Sequence, residues 1–264
     1  MRIFVCIKEI QNPELPNELF SVDEERKEVI PVRHMPLVTS PMDEQAIEAA
    51  LRLRDQGCDA TLTVLTFGPS TALAALKRAL SMGADAGVLV SNVGLEKLDS
   101  AATATVLCHA IKKSGPFDLI LTGRQAADWD AGIVGCGIGE MLGIPVVAYA
   151  KGVRIEGGRV LVDRVLDDGF ETVETSTPCV VTIANELGEP RKPSLRETMR
   201  AAKKPIATHS AAALGLLPPE APRLTRDRLF VPAKERECEM FSGSSPRDIA
   251  GRIAARLREA KHLS

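Results

Sequence analysis

From Arg2 to Ala148 the chain alternates short apolar runs with longer stretches whose apolar residues recur every third or fourth position. That alternation narrows the possible folds more than any other feature. The runs Arg2 to Ile7, Ala60 to Phe67, Ala86 to Val90, Phe117 to Thr122 and Pro145 to Ala148 read as strands. They are apolar almost throughout, as strands covered on both faces of a parallel sheet should be. The intervening stretches read as helices. Ser40-Pro41-Met42-Asp43 opens the first, with Ser40 as cap, Pro41 at the first helical position, and Asp43 and Glu44 at the positive end. Its buried face is Ala46, Ile47, Ala50, Leu51 and Leu53, and Gly57 stops it. A second helix runs from Thr71 to Met82 before Gly83, and a third runs from a Ser100 cap to Lys113. Strand–helix alternation with short connections predicts an α/β fold, a doubly wound parallel sheet with helices on both faces.

Such sheets bind ligands beyond the carboxyl ends of their strands, where strand order reverses. The segments expected there are Cys6 to Lys8, Phe67-Gly68-Pro69, the helix start at Ser40 to Asp43, and everything from Gly123 onward. The last is the most suggestive. Strand Leu119 to Thr122 ends in Gly123, and the polar loop Arg124-Gln125-Ala126-Ala127-Asp128-Trp129-Asp130 follows. Ala131-Gly132-Ile133-Val134-Gly135 then leads into a segment with further glycines at 137 and 139. A helix start offers unpaired N–H groups and positive potential to a phosphate, and glycine allows close backbone approach. The same glycines could instead serve only tight helix–strand packing. The spacing is not the dinucleotide fingerprint after a first strand.

Composition excludes several classes. Of the 264 residues, 45% are hydrophobic and 26% charged, with a formal net charge of −2 and 3% aromatic residues. Neither a basic footprint nor stacking aromatics for nucleic acid is present. The six cysteines are scattered without a C-x-x-C pair, and His34, His109, His209 and His262 show no metal spacing. The start MRIFVCIKEI is too short and too soon charged for a signal peptide, and no apolar run reaches membrane-spanning length. A cytoplasmic protein without direct membrane insertion is expected.

Beyond Ala150 the pattern changes. Gly152 to Val162 reads as a hairpin turning at Glu156-Gly157-Gly158-Arg159, with Arg164 to Val173 able to pair with it. Pro178 to Ala184 is an apolar strand, Asn185 to Pro193 a polar loop and Ser194 to Ala202 a short helix. Thr208 to Pro246 reads as an extended arm with few internal contacts. Pro246 to Ala260 reads as an amphipathic helix with Ile249, Ile253 and Leu257 in one stripe. An isolated helix of that length is marginal in water, so it must dock, and the arm favours a partner chain.

With these features in order, the chain resembles the small (β) subunit of electron-transfer flavoprotein from Arg2 to about Lys204. Three stretches carry the resemblance. The first is Val162-Asp163-Arg164-Val165-Leu166-Asp167-Asp168-Gly169-Phe170-Glu171-Thr172-Val173 with Pro178-Cys179-Val180-Val181-Thr182. The second is Gly123-Arg124-Gln125-Ala126 with Asp128 and Asp130. The third is Asn185-Glu186, Glu189-Pro190-Arg191, Ser194-Leu195 and Met199. The resemblance implies an adenine nucleotide alpha hydrolase-like sheet over residues 1–204, with a docking loop at about 185–204. Residues 205–264 would be an arm and helix against a larger α subunit that holds the redox-active FAD. It further implies AMP or a second FAD in this subunit, held by Cys6, Ser40, Pro41, Met42, Asp43, Phe67 and the segment from Gly123 to Val134. Cys6 and Phe67 would lie by adenine, and Ala131 to Gly135 by phosphate.

The sequence departs from both nucleotide patterns. AMP-type members carry Asn-Gln-Thr-Gly where this chain has Gly132-Ile133-Val134-Gly135. Of Asp-Thr-Ala-Gln-Val-Gly, typical of bifurcating members, Asp130, Val134 and Gly135 agree. Asp128 and Asp130 are candidate ribose ligands, Asp130 equally a helix N-cap, and Trp129 reads first as a packing residue. Leu195 aligns with the anchor leucine that enters a dehydrogenase pocket, with Arg191, Met199, Arg200, Lys203 and Lys204 around it. Flavin-dependent dehydrogenases of the acyl-CoA type are the implied donors, and a quinone-reducing protein or ferredoxin the implied acceptor. A stress-type nucleotide-binding protein or an ATP hydrolase of the same fold is the alternative, though it would not need the residues after Gly152.

Overall fold

Parallel β1 (Arg2–Ile7) lies at the middle of the central sheet, between β2 (Thr61–Gly68) and β4 (Leu119–Gly123). The computed structural model describes residues 1–95, 98–216, 223–232 and 238–262. Parts of the expected arm, 217–222 and 233–237, therefore lie outside the described residues. From β1 the chain passes through α1 (Pro41–Asp55) to β2, then through α2 (Leu73–Met82) to β3 (Ala86–Ser91) on the outer side of β2. Helix α3 (Ser100–Ser114) returns it to β4 on the other side of β1, so strand order reverses beside β1. Helix α4 (Val134–Leu142) and β5 (Val146–Glu156) follow. Next come β6 (Arg159–Leu166), β7 (Gly169–Thr175) and β8 (Cys179–Ile183), the last of which inserts between β4 and β5. The order is β7-β6-β5-β8-β4-β1-β2-β3-β9, the last being Ile206–His209.

Each face of the sheet carries its own apolar core. Ile47, Leu51 and Leu53 of α1 and Leu76 and Leu80 of α2 cover Val5, Leu62, Val64, Leu119 and Leu121. Leu107 and Ile111 of α3 and Ile138 of α4 cover Phe4, Leu65, Ile120 and Val180. Asp99, not Ser100, caps α3: its Oδ1 accepts from the Ala102 N–H at 2.8 Å. Both residue types cap well, and the extended backbone at Asp99 decides between them.

Two expected boundaries move. The strand at Pro145 to Ala148 and the first hairpin arm are one strand, β5. It pairs parallel with β8 at Val146, Val147 and Ala150 and antiparallel with β6 from Ala150 onward. The β8 pairing shifts register beside Tyr149, whose φ of 63° is unusual for an aromatic residue and whose N–H donates to Thr182 Oγ1 at 3.1 Å. Nor does the sheet end at Lys204, because β9 adds a parallel strand beside β3. A small antiparallel pair forms at Val22–Asp23 and Glu28–Val29.

Helix α5 (Leu195–Ala201) is closed at its start by a reciprocal pair: Ser194 Oγ accepts from the Glu197 N–H, and Glu197 accepts from the Ser194 N–H at 2.6 Å. Helix α6 (Pro246–Glu259) is capped by Ser245 and has no buried residue. Ile253 and Leu257 remain more than a third exposed. Among the described residues no helix is long and apolar enough to cross a membrane.

Candidate nucleotide site and docking surface

At the carboxyl ends of β1 and β4 the separated stretches meet. Asp43, in the first turn of α1, is 5% exposed, and its carboxylate bridges both strand ends. Oδ2 accepts from the Lys8 N–H at 2.8 Å and Oδ1 from the Gly123 N–H at 3.1 Å. Ser40 N–H donates to the Lys8 carbonyl at 2.9 Å, so α1 begins hard against β1. Burial pushes the Asp43 carboxyl up to about 7, against the two N–H bonds and the Lys8 charge that favour ionisation. Asp43 is thus committed to the backbone rather than open to a ligand. Gly123 has to be glycine here: a Cβ would lie 2.6 Å from Asp43 Oδ1 and 2.9 Å from the Met42 carbonyl carbon.

Cys6 pairs with Leu65 and Thr122 in the ladder, and its side chain packs into the α3-side core. Burial drives its thiol far above the usual range, so it is not a nucleophile. Phe67 is half-buried against the same core at the end of β2. Pro41 and Met42 form the start of α1 beside Gly123.

The loop after Gly123 is braced at several points. Arg124 N–H donates to the Ile183 carbonyl at 2.8 Å, Gln125 Nε2 to Asp130 Oδ1 at 2.9 Å, and Asp130 N–H to the Ala126 carbonyl at 3.0 Å. Lys8 Nζ lies 2.5 Å from Asp128 Oδ2, which draws the loop toward the end of β1. Asp130 is not the cap of α4. It sits in a left-handed turn with φ of 49°, and the helix starts at Val134 with no side-chain cap. The first-turn N–H groups of α4 therefore lack a side-chain acceptor. Ser40 likewise marks the start of α1, but its hydroxyl makes no capping bond.

The glycines in and just before α4 divide into two roles. Gly135 and Gly139 serve packing: a Cβ would fall 2.5 Å from Thr122 Oγ1 at the first and 2.0 Å from Val146 Cγ2 at the second. Gly132 has φ of 64° and makes the turn before the helix. The buried hydroxyls of Thr39, Ser40 and Thr66, near the same strand ends, have no hydrogen-bond partner among the described residues. Uncapped N–H groups and unpartnered hydroxyls are what a phosphorylated nucleoside could satisfy, so the residues present fit that class of ligand.

Of the expected docking residues, Leu195 and Met199 stand one turn apart on α5 and are 79% and 67% exposed. Leu195 is therefore not packed on its own domain. Arg200 is exposed beside them. Arg191 and Lys204 do structural work instead. The Arg191 guanidinium bonds Glu48 (2.8 and 3.2 Å) and Asp55 (2.6 Å), and its N–H also reaches Glu48. Burial opposes ionisation of Glu48, but these bonds and that from Arg52 outweigh it and hold the carboxyl below its usual range. Lys204 Nζ donates to the carbonyls of Leu80 and Ala84 at the end of α2.

Two contacts from the arm were not legible in the sequence. Asp99 Oδ2 accepts from the Arg223 and Leu224 N–H groups at 2.7 and 2.9 Å. The Arg226 guanidinium lies 4.1 Å from the centroid of the Trp129 ring. Neither has a local signal, since the partners are far apart in the chain.

Residues 30–214 match the family model described as Electron transfer flavoprotein domain. The caffeyl-CoA reductase–Etf complex subunit CarD of Acetobacterium woodii is 35% identical over the whole of both chains. The electron transfer flavoprotein subunit beta of Megasphaera elsdenii is 36% identical over 81% of this chain and 80% of its own. The acryloyl-CoA reductase electron transfer subunit gamma of Anaerotignum propionicum is 38% identical over 78% and 76%.

Proposed function

The chain belongs to the electron transfer flavoprotein family, and we propose that it acts as the β-type subunit of a heterodimer with an adenine nucleotide, AMP or a second FAD, in its own loop. The uncapped start of α4 behind the Lys8- and Asp43-braced loop is the observation that carries the nucleotide assignment. Phosphate there would rest on backbone N–H groups, because Gly132, Ile133 and Val134 offer no polar side chain. Flavin supplies the redox chemistry when bound, and the protein's task is to position it.

Donor docking is assigned to Leu195 and Met199. Relatives named for caffeyl-CoA and acryloyl-CoA reductases favour a flavin-dependent dehydrogenase of the acyl-CoA type as donor. The larger subunit would cover the apolar stripe of α6. Nucleotide release from the complex co-purified with its larger subunit tests the assignment. About one FAD and one AMP per heterodimer indicates simple electron carriage. About two FAD and no AMP indicates a second flavin in the loop. One FAD and no second nucleotide overturns the loop assignment.

A further inference from the structure

We infer that Arg226 belongs to the nucleotide site, as the residue through which the arm holds the nucleotide loop in its binding shape. The inference rests on the nucleotide reading of that loop. Its geometric basis is the stack of the Arg226 guanidinium on Trp129, the exposed tip of the loop, together with a hydrogen bond from Nη1 to the Lys27 carbonyl. A few residues upstream, the arm is clamped by Asp99 Oδ2 through the N–H groups of Arg223 and Leu224. The approach of Arg226 is therefore fixed from one side by the cap of α3. The same carboxylate that starts α3 thus fixes where the arm crosses the loop.

Charge gives the contact its use. The loop tip carries two carboxylates, Asp128 and Asp130, an unfavourable surface for an arriving phosphate. Asp128 is neutralised by Lys8 at 2.5 Å. The Asp130 carboxylate, among the described residues, is bonded only to the neutral amide of Gln125. Arg226 forms no ion pair among the described residues, so its charge remains to offset the second carboxylate. With Arg124, Lys8 and Arg226 set against two aspartates the loop is net positive; without Arg226 it is neutral. A planar guanidinium also suits the task, since it can stack on an indole and still present N–H groups at its edge. Arg226 is a positioning residue acting through Trp129.

Trp129 is the chain's single tryptophan, so its emission reports the stack directly. The test uses the full-length chain, AMP as probe, and the variants Arg226→Ala and Arg226→Lys. Expected for Arg226→Ala are a red-shifted Trp129 emission and AMP release faster by about two- to fivefold, the range for an exposed cation–π contact. Lysine should restore the release rate in part, because it returns charge without the planar stack. Unchanged emission in Arg226→Ala would show that the stack does not form, and shifted emission with unchanged AMP release would show that Arg226 merely covers Trp129. Either overturns the inference alone. A wild-type chain that binds neither AMP nor FAD overturns it together with the nucleotide reading.

Discussion

Asp43 and Gly123, 80 residues apart, are joined by a hydrogen bond of 3.1 Å that ties the first turn of α1 to the last residue of β4. The other oxygen of the same carboxylate holds Lys8. One buried group therefore sets the spacing between the two strand ends that flank the candidate nucleotide loop. Asp43→Asn would present an amide N–H to one of these backbone donors and leave it unpaired. A loss of about 1–3 kcal/mol in urea-unfolding stability is expected. A stability equal to wild type would show that the bridge is dispensable.

The same residue predicts a pH dependence. Unfolded, Asp43 loses its proton near 4; folded, it does so near 7. Between these values the native state keeps a proton that the unfolded chain has released. Its contribution is complete below about pH 4 and is lost as pH rises through about 7. Unfolding measured from pH 4 to 8 should show this decline in wild type and a flatter curve in Asp43→Asn. Parallel curves would mean that Asp43 ionises normally in the fold.

At Gly139 a methyl group would collide with Val146, so Gly139→Ala is expected to lower stability by about 1–3 kcal/mol through forced movement of α4 against β5. Gly143→Ala is a useful contrast. No atom lies within 4 Å of its added Cβ, and the penalty there comes from a φ of 66° alone. Thermal unfolding of the two variants separates packing from backbone strain. A Gly139→Ala protein as stable as wild type would remove the packing role.

Leu195→Ala should slow electron exchange with the donor dehydrogenase while leaving the flavin content of the heterodimer unchanged. The lost contact is of the size of one buried aliphatic side chain, about 1.5–3 kcal/mol, and should appear mainly as weaker association. Stopped-flow reduction at several dehydrogenase concentrations measures it. An unaltered concentration dependence would assign docking elsewhere.

Deleting residues from Pro246 onward should weaken binding to the larger subunit with little loss of this chain's own thermal stability, because α6 has no fully buried residue. Calorimetric titration and unfolding on the same preparations separate the two effects. A stability loss with unchanged affinity would place the helix on its own domain.

Much of the sheet was legible because each parallel strand is a solid apolar run and each helix before it has a clear stop. β9 was not: Ile206-Ala207-Thr208-His209 is four residues long and only half-buried, too short for a periodic signal. The bulge at Tyr149 was hidden because left-handed backbone there depends on a Thr182 hydroxyl from a different strand. At the site, the stretches that meet could be read from topology, but the duties of individual side chains could not. Asp43 and Arg191 looked like surface ligands in the sequence, and both are bound to distant partners in the fold. Charge reveals that a side chain needs a partner; it does not reveal which one.

The short helix α5 is bolted at both ends. Arg191 fastens the chain to α1 just before it, Lys204 fastens it to α2 just after, and Ser194 and Glu197 close its first turn. Leu195 and Met199 are therefore presented on a rigid mount although their side chains face outward. A partner that meets this surface has little disorder to freeze, so the entropic penalty of engagement was met when the chain folded. On the docking role proposed above, that arrangement would suit brief visits: an anchor ready on arrival, small enough for a donor to deliver its electrons and leave.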